Sequence, residues 1–346
     1  MMSPSQSIIN LSKDDSLYEF NKFRINYYLG NVNQQMIVKR KNSNILLFDD
    51  AEYIKEKSEY NIREIFRHFY NGNFRVTKYF DSHYINQTNN YFIDLHRYLN
   101  VYKNDNNHYS SDIEYIFNFG DNVSFKKVPV FVKAKTIGNS DLSVLLNLNS
   151  DMHVGMLKSI KNDDIAFHNK KNSLLWRGNI TTGYPTNIMR KTLVLRYQNH
   201  ENSNLDIKAT IADSNDEEYN NYIIAKNMNY GEMLQYKFLL SIEGNDVATN
   251  LKWCLLSHSV VLMAKPTKCS WFMEDKLIPF KHYVPVDDNY SNIEEMYIWC
   301  MNNLKKCKTI SKNATKYIEQ FLDEENEKYV TTEVLNGYFK NVMFEN

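Results

Sequence analysis

Three groups of residues in this chain, and one histidine, have types and spacing that suit chemistry. The first is Trp176-Arg177-Gly178-Asn179. An arginine closing a short apolar run can donate two parallel hydrogen bonds to a phosphate, and the glycine after it lets backbone come close. Arg190, in the segment that follows, brings a second cation nearby. An ordinary surface arginine beside a turn would look the same. The second group is Glu243-Gly244-Asn245-Asp246, followed by Thr249, Asn250 and Lys252. Asp246 can cap a helix, and the free amides of a helix start favour an anion. A single glycine is not a phosphate-loop pattern, so a plain helix cap explains the stretch equally well. The third is Asp121, at the end of an apolar strand, where a carboxylate can act as a general base or simply turn the chain. His282, before Tyr283, is either a ligand contact or a satisfied core histidine.

The elements that must position these groups run from Leu234 to Val286. The order expected there is strand, tight turn, helix, strand, short helix, strand. Lys237 to Ile242 is a short apolar run bounded by turn residues, the pattern of a buried parallel strand. The helix after Asp246 is expected to place Val247, Leu251, Cys254 and Leu255 on one face. Ser259 to Met263 and His282 to Val286 read as the next strands. Such alternation builds a Rossmann-like half, with ligands at the carboxyl ends of its strands. Upstream, Ile113 to Phe119, Val128 to Val132 and Leu174 to Trp176 read as strands, and Asn44 to Phe48 can be one. Asp49 to Phe69 and Met189 to Tyr197 read as helices, the latter after a turn at Thr182-Gly183-Tyr184-Pro185. Tyr91 to Tyr102 fits strand or helix, and Tyr18 to Tyr28 has no clean period. Helices are expected over 292–304, 311–322 and within 324–344.

The totals narrow the classes. The 346 residues suffice for two cores, and 41 basic against 41 acidic residues give no net charge. Bulk nucleic-acid binding needs a basic field, so it is disfavoured. Cys254, Cys269, Cys300 and Cys307 lack CxxC spacing and read as buried thiols, not a zinc site or disulfide framework. No stretch has the length of a signal-peptide core or a transmembrane helix, so a cytoplasmic protein with at most peripheral membrane contact is expected.

Several segments together resemble glycosyltransferase family 90, whose members include LpsA-like lipopolysaccharide, capsule-associated and Rumi-type glycosyltransferases. They are Tyr236-Lys237, the run from Glu243 to Trp253, Ser257 to Val261, Trp271 to Glu274 and Pro279 to Pro285. Leu174 to Gly178 with Arg190, and Pro129 to Lys135, join them. The likeness covers roughly 113–305. It implies an α/β chain of the GT-B kind, two Rossmann-like domains facing across a cleft. The expected division is 1–165 on the acceptor side, 166–325 for the nucleotide sugar, and a helix over 326–346 that can pack back on the first domain. It further implies an inverting sugar transfer from a UDP-sugar to a glycan hydroxyl, without metal or other cofactor. The donor would meet Arg177, Gly178, Arg190, Gly244, Asn245, Asp246, Ala248, Thr249, Asn250, Lys252, Glu274 and His282, and Asp121 would be the base. Two departures stand out. Rumi-type members carry Ser and Arg where this chain has Ala248 and Asn250, and an Arg where it has Gly120. A retaining transferase on the same fold is one rival reading. A catalytically silent nucleotide- or glycan-binding protein is another.

Overall fold

The computed structural model describes residues 15–39, 46–48, 74–76, 90–105, 114–121, 123–180 and 185–345. The helix expected over 49–69 and the turn at 182–184 lie outside them. In chain order the first elements are α1 (Asp15–Leu29), β1 (Met36–Lys39), β2 (Leu46–Phe48), β3 (Phe74–Val76), α2 (Asn90–Asp105), β4 (Tyr115–Phe117), β5 (Val130–Val132), β6 (Ala134–Thr136) and β7 (Ser143–Leu145). Then follow α3 (Ser150–Val154), α4 (Leu157–Asp163), β8 (Lys171–Ile180), α5 (Pro185–Tyr197), β9 (Leu205–Ala212), α6 (Tyr230–Met233), β10 (Tyr236–Leu240), α7 (Leu251–Leu256), β11 (Val260–Met263), β12 (Lys268–Ser270) and β13 (Val284–Pro285). The chain ends with α8 (Ile293–Asn302), α9 (Leu304–Glu319), α10 (Glu324–Asn341) and β14 (Val342–Glu345). The result is a mixed α/β chain with parallel sheets and a helical C-terminal region.

The chain forms two compact units, one of residues 1–150 with 322–346 and one of 151–321. These limits differ from the expected 165 and 325. The earlier division follows from α4, whose Leu157 and Ile160 are buried and which packs on α7 of the second unit.

The second unit holds a sheet of the four strands that the sequence predicts, β8, β10, β11 and β13, and of β9, which it does not. Its order is β13-β11-β10-β8-β9, and every pair is parallel. Leu174, Trp176, Phe238, Leu240, Val260 and Leu262 form one core with Leu193, Val194, Ile293 and Met296 from α5 and α8. α7 and α9 also pack on β11, and Cys307 and Ile310 of α9 join the same core. Corrections concern α7. It starts at Leu251, not after Asp246, its N-cap Asn250 makes no side-chain capping bond, and all six residues are buried, not one face. It is buried all round because α9 and α4 flank it as well as the sheet. Thr315 and Ser311 of α9 donate to the carbonyls of Leu256 and Ser257, so the end of α7 is satisfied without water.

The first unit has a five-stranded sheet, β2-β3-β4-β5-β7, parallel except where β3 meets β4. The terminal helix α10 belongs to this unit. It packs on α1 and α2, and the Tyr338 hydroxyl donates to Pro129 O at 3.1 Å while accepting from Ile116 N at 3.1 Å. β14 then pairs in parallel with β1. The segment 90–105, which fits either strand or helix by sequence, is a helix.

Candidate active site

Parallel strands leave their carboxyl ends open, because the chain must leave them for crossover helices. In the second unit this end carries a cavity of about 330 Å³. Ser241, Ile242 and Glu243 after β10, Ala264 to Lys268 after β11, and Asp288 and Tyr290 after β13 line it, with Val247, Ala248 and Leu251. Glu243 braces the rim. Its carboxylate accepts from Thr267 N at 2.9 Å, from Lys268 N at 3.1 Å and from the Thr267 hydroxyl. Lys268 Nζ lies 3.5 Å from Glu243 and donates to Gly244 O at 2.9 Å. Two loops are thereby tied into one wall.

Arg190 does not line the cavity but holds the carbonyl of Ile242, which does. Its Nη1 donates to Asn179 O at 3.2 Å and its Nη2 to Ile242 O at 3.0 Å, and no carboxylate pairs with it among the described residues. The guanidinium lies over the Trp176 ring at 6.0 Å. Gly178 makes room for that ring, since a Cβ there would stand 2.5 Å from the indole. A Cβ on Gly244 would stand 3.2 Å from Arg190 Nη2, so the glycine lets the loop close onto the arginine. Burial draws Arg190 below its ordinary pKa, and Tyr290 partly offsets this. Burial, then Glu243, raises the Tyr290 hydroxyl above its ordinary value, which keeps it a hydrogen-bond donor.

The other expected donor residues are placed unequally. Ala248 and Glu274 line the cavity. Lys252 is buried and paired with Glu274 at 2.6 Å, and Glu274 also accepts from Ser270 N and Oγ at 2.6 and 2.8 Å. Asn250 donates to Leu240 O at 3.1 Å and accepts from Ser241 Oγ at 2.9 Å, which pins the loop to the end of β10. Asn245 is half-buried, Asp246 buried and Thr249 exposed. His282 accepts on Nδ1 from Ile278 N at 3.0 Å and lies against the Tyr317 ring. Burial, then Lys281, lowers its pKa. It does not line the cavity.

Arg177 is held elsewhere. Nη2 donates to Asp206 Oδ2 at 2.6 Å and Nη1 to the carbonyls of Trp176 and Asp206 at 2.8 and 2.9 Å. Burial raises Asp206, but Arg177 and then Lys208 outweigh it and leave the carboxyl below its ordinary pKa. A depressed carboxyl stabilises the fold fully above its unfolded value near 4, and that contribution is lost as pH falls through the lower folded value. Arg177→Ala should therefore lower stability by about 1–3 kcal/mol at neutral pH and flatten the acid side of the melting-temperature profile. An unaltered acid limb in thermal scans would contradict the pairing.

Asp121 belongs to the first unit. Its carboxylate lies 2.8 Å from Lys133 Nζ, and its side chain is 43% exposed against 5% for Lys133. Gly120 precedes it at φ 93°, a conformation that favours glycine and turns the chain away from β4. Lys133 lies over the Tyr91 ring at 5.6 Å. Among the described residues no three His, Cys, Asp or Glu side chains gather as a metal site would require. No described helix is long and apolar enough to cross a membrane.

A profile of the family described as Glycosyl transferase family 90 matches residues 146–345, more than half the chain. The chain belongs to this family. The matched part includes the whole sheet of the second unit, its cavity, Arg177 and Arg190. The chain is similar to the O-glucosyltransferase LpsA of Dichelobacter nodosus, with 32% identity over 222 residues, 64% of this chain and 65% of that protein. It is similar to uncharacterized protein 179R of Invertebrate iridescent virus 6, 32% identical over 28% of this chain and 8% of that one. Protein O-glucosyltransferase 3 of Rattus norvegicus is 31% identical over 26% of this chain and 18% of its own. The chain thus spans just under two thirds of the first relative and far less of the others.

The cavity adds Thr267, Lys268, Asp288 and Tyr290 to the site residues expected from the sequence, and gives Glu243 the part of a brace. Each follows the carboxyl end of a strand that the sequence did reveal, so strand order was the available signal.

Proposed function

We propose that the chain is an inverting glycosyltransferase of the GT-B kind, moving a sugar from a UDP-sugar to a glycan hydroxyl such as one on a lipopolysaccharide or capsule. The observation that carries this reading is Arg190, a guanidinium that no carboxylate pairs with among the described residues, at the carboxyl ends of β8 and β10, in a chain of glycosyl transferase family 90. Such a group can take the charge that develops on a departing diphosphate, so no metal ion is assigned that task. Tyr290 and the rim built on Glu243 and Lys268 border the cavity that Ile242, whose carbonyl Arg190 holds, also lines. The nucleotide then lies over Ala248 and beside Gly244. Asp121 accepts the proton of the acceptor hydroxyl as that oxygen attacks the anomeric carbon, and the bond to UDP breaks on the opposite side.

Arg190→Ala is expected to weaken UDP binding by about 1.5–3 kcal/mol, the range for a hydrogen bond to a charged group. Isothermal calorimetry with UDP measures it. Unchanged affinity would remove Arg190 from the site, and with it the main support for the reading. A chain that binds nucleotide sugars yet neither transfers nor hydrolyses any of them would favour the silent binding protein instead. A retaining enzyme would reveal itself in the anomeric coupling of the product by proton NMR.

A further inference from the structure

The solvent face of α9 is lysine-rich. Lys305, Lys306, Lys308, Lys312 and Lys316 are all exposed. Its opposite face buries Cys307, Ile310, Ala314, Tyr317 and Ile318 in the core. The only acid of the helix is Glu319 at its last position, and Lys161 holds it at 2.8 Å. In a chain with no net charge, this face is a local concentration of positive charge.

At the start of this helix lies an apolar surface. Ile278, Phe280 and Ile298 are 47%, 48% and 49% exposed. Phe280 sits in a tight turn fixed by Phe280 N donating to Tyr283 O at 2.7 Å and His282 N to Ile278 O at 2.9 Å. Its φ is 56°, a left-handed conformation that a bulky residue rarely adopts. An aromatic ring is therefore displayed to solvent by a strained backbone, where glycine or asparagine would sit at ease. The ring packs against Trp299 with centroids 5.1 Å apart, and Lys306 Nζ lies 5.9 Å from the same indole. Exposed Lys281 follows Phe280 directly. The acids of α8, Glu294 and Glu295, stand in its first turn, before Ile298 and Trp299.

We infer that this face docks the protein on an anionic membrane surface, with Phe280, Ile278 and Ile298 entering the interface and the lysines of α9 and Lys281 meeting lipid phosphates. Charge complementarity selects the partner. Lysines next to exposed aromatic and branched apolar side chains are what an interfacial helix presents to acidic headgroups. A nucleic acid would use the lysines and leave three apolar side chains idle. The inference is independent of the sugar chemistry: a failed docking test leaves transfer untouched, and an inactive protein can still dock.

The test is co-sedimentation of the full chain with vesicles of phosphatidylcholine alone or of equal parts phosphatidylcholine and phosphatidylglycerol. Binding is expected to the mixed vesicles and not to the neutral ones. K305E/K306E should weaken it by about tenfold or more, since each lysine near an anionic surface contributes severalfold. Phe280→Gly removes the ring while relieving the backbone, so it should fold as well as the parent and still lose most binding. The exposed control K127E/K226E, with the same charge change elsewhere, should leave binding intact. The proposal is overturned if the chain ignores the mixed vesicles or binds neutral ones equally. It is also overturned if Phe280→Gly binds like the parent while soluble heparin is held as tightly as vesicles.

Discussion

Asp121→Asn is expected to lower turnover by about 10²–10⁴-fold, the usual share of a general base, while UDP affinity stays that of the parent. The substitution keeps volume and shape but removes both the capacity to take a proton and the charge facing Lys133, so thermal scans accompany the rate measurement. The geometry suits the role. The carboxylate is partly exposed and can meet an acceptor hydroxyl, whereas its partner Lys133 is almost wholly buried. Lys133 thus fixes the carboxylate in one orientation, and the left-handed Gly120 sets the turn that presents it. Separate measurement of kcat and of UDP binding by calorimetry distinguishes a lost base from a lost fold. Turnover within a factor of about three of the parent would take Asp121 out of the mechanism.

The second large effect concerns stability. Arg24 of α1 is fully buried, and its guanidinium grips Glu327 of α10 through both oxygens, at 2.6 and 2.7 Å. Nε donates to the Tyr28 hydroxyl at 3.0 Å, and the rings of Phe20 and Tyr28 flank the group at 5.6 and 5.5 Å. Burial alone would lower the Arg24 pKa, but Tyr28 and Glu327 together raise it. One turn away, Asn21 and Asn326 exchange hydrogen bonds of 2.6 and 3.2 Å. Glu327→Ala leaves a buried cation without its countercharge, which costs about 3–5 kcal/mol. That is a large part of the stability of an ordinary domain, about 5–15 kcal/mol. Replacing both partners, as in R24M/E327L, should recover most of the loss, because desolvating the pair offsets much of what it gains. Urea titrations of the parent and the two variants decide the matter. A single-variant loss under about 1 kcal/mol would show that water reaches the guanidinium.

Those residues also show where sequence reading stops. Tyr18 to Tyr28 has no legible period because the packed face of α1 carries Asn21 and Arg24 among its apolar residues. Their partners lie about three hundred residues away, at Asn326 and Glu327. Strands β8, β10, β11 and β13 are legible, since short apolar runs stopped by turn residues have few other uses. The start of α7 is not. Asn250 bonds the end of β10 instead of capping, and a helix buried on all sides has no amphipathic signature. β9 was missed although its burial alternates along Leu205, Ile207 and Ala209 against Asp206, Lys208 and Thr210. That omission hid Asp206, and with it the carboxylate that already occupies Arg177. Arg190 was visible only as a trailing cation. Its place at the strand ends depends on the crossover of α5, which spacing alone does not define.

The unit that carries Asp121 is assembled from both ends of the polypeptide, with residues 151–321 threaded between. The ribosome therefore releases the whole of residues 151–321 before it releases α10, which the earlier part awaits. At ordinary translation speed that interval is roughly 10–35 s. Throughout it, the surface of α1 destined for α10, Arg24 included, stands bare, so this half is the one that nascent-chain chaperones should engage longest.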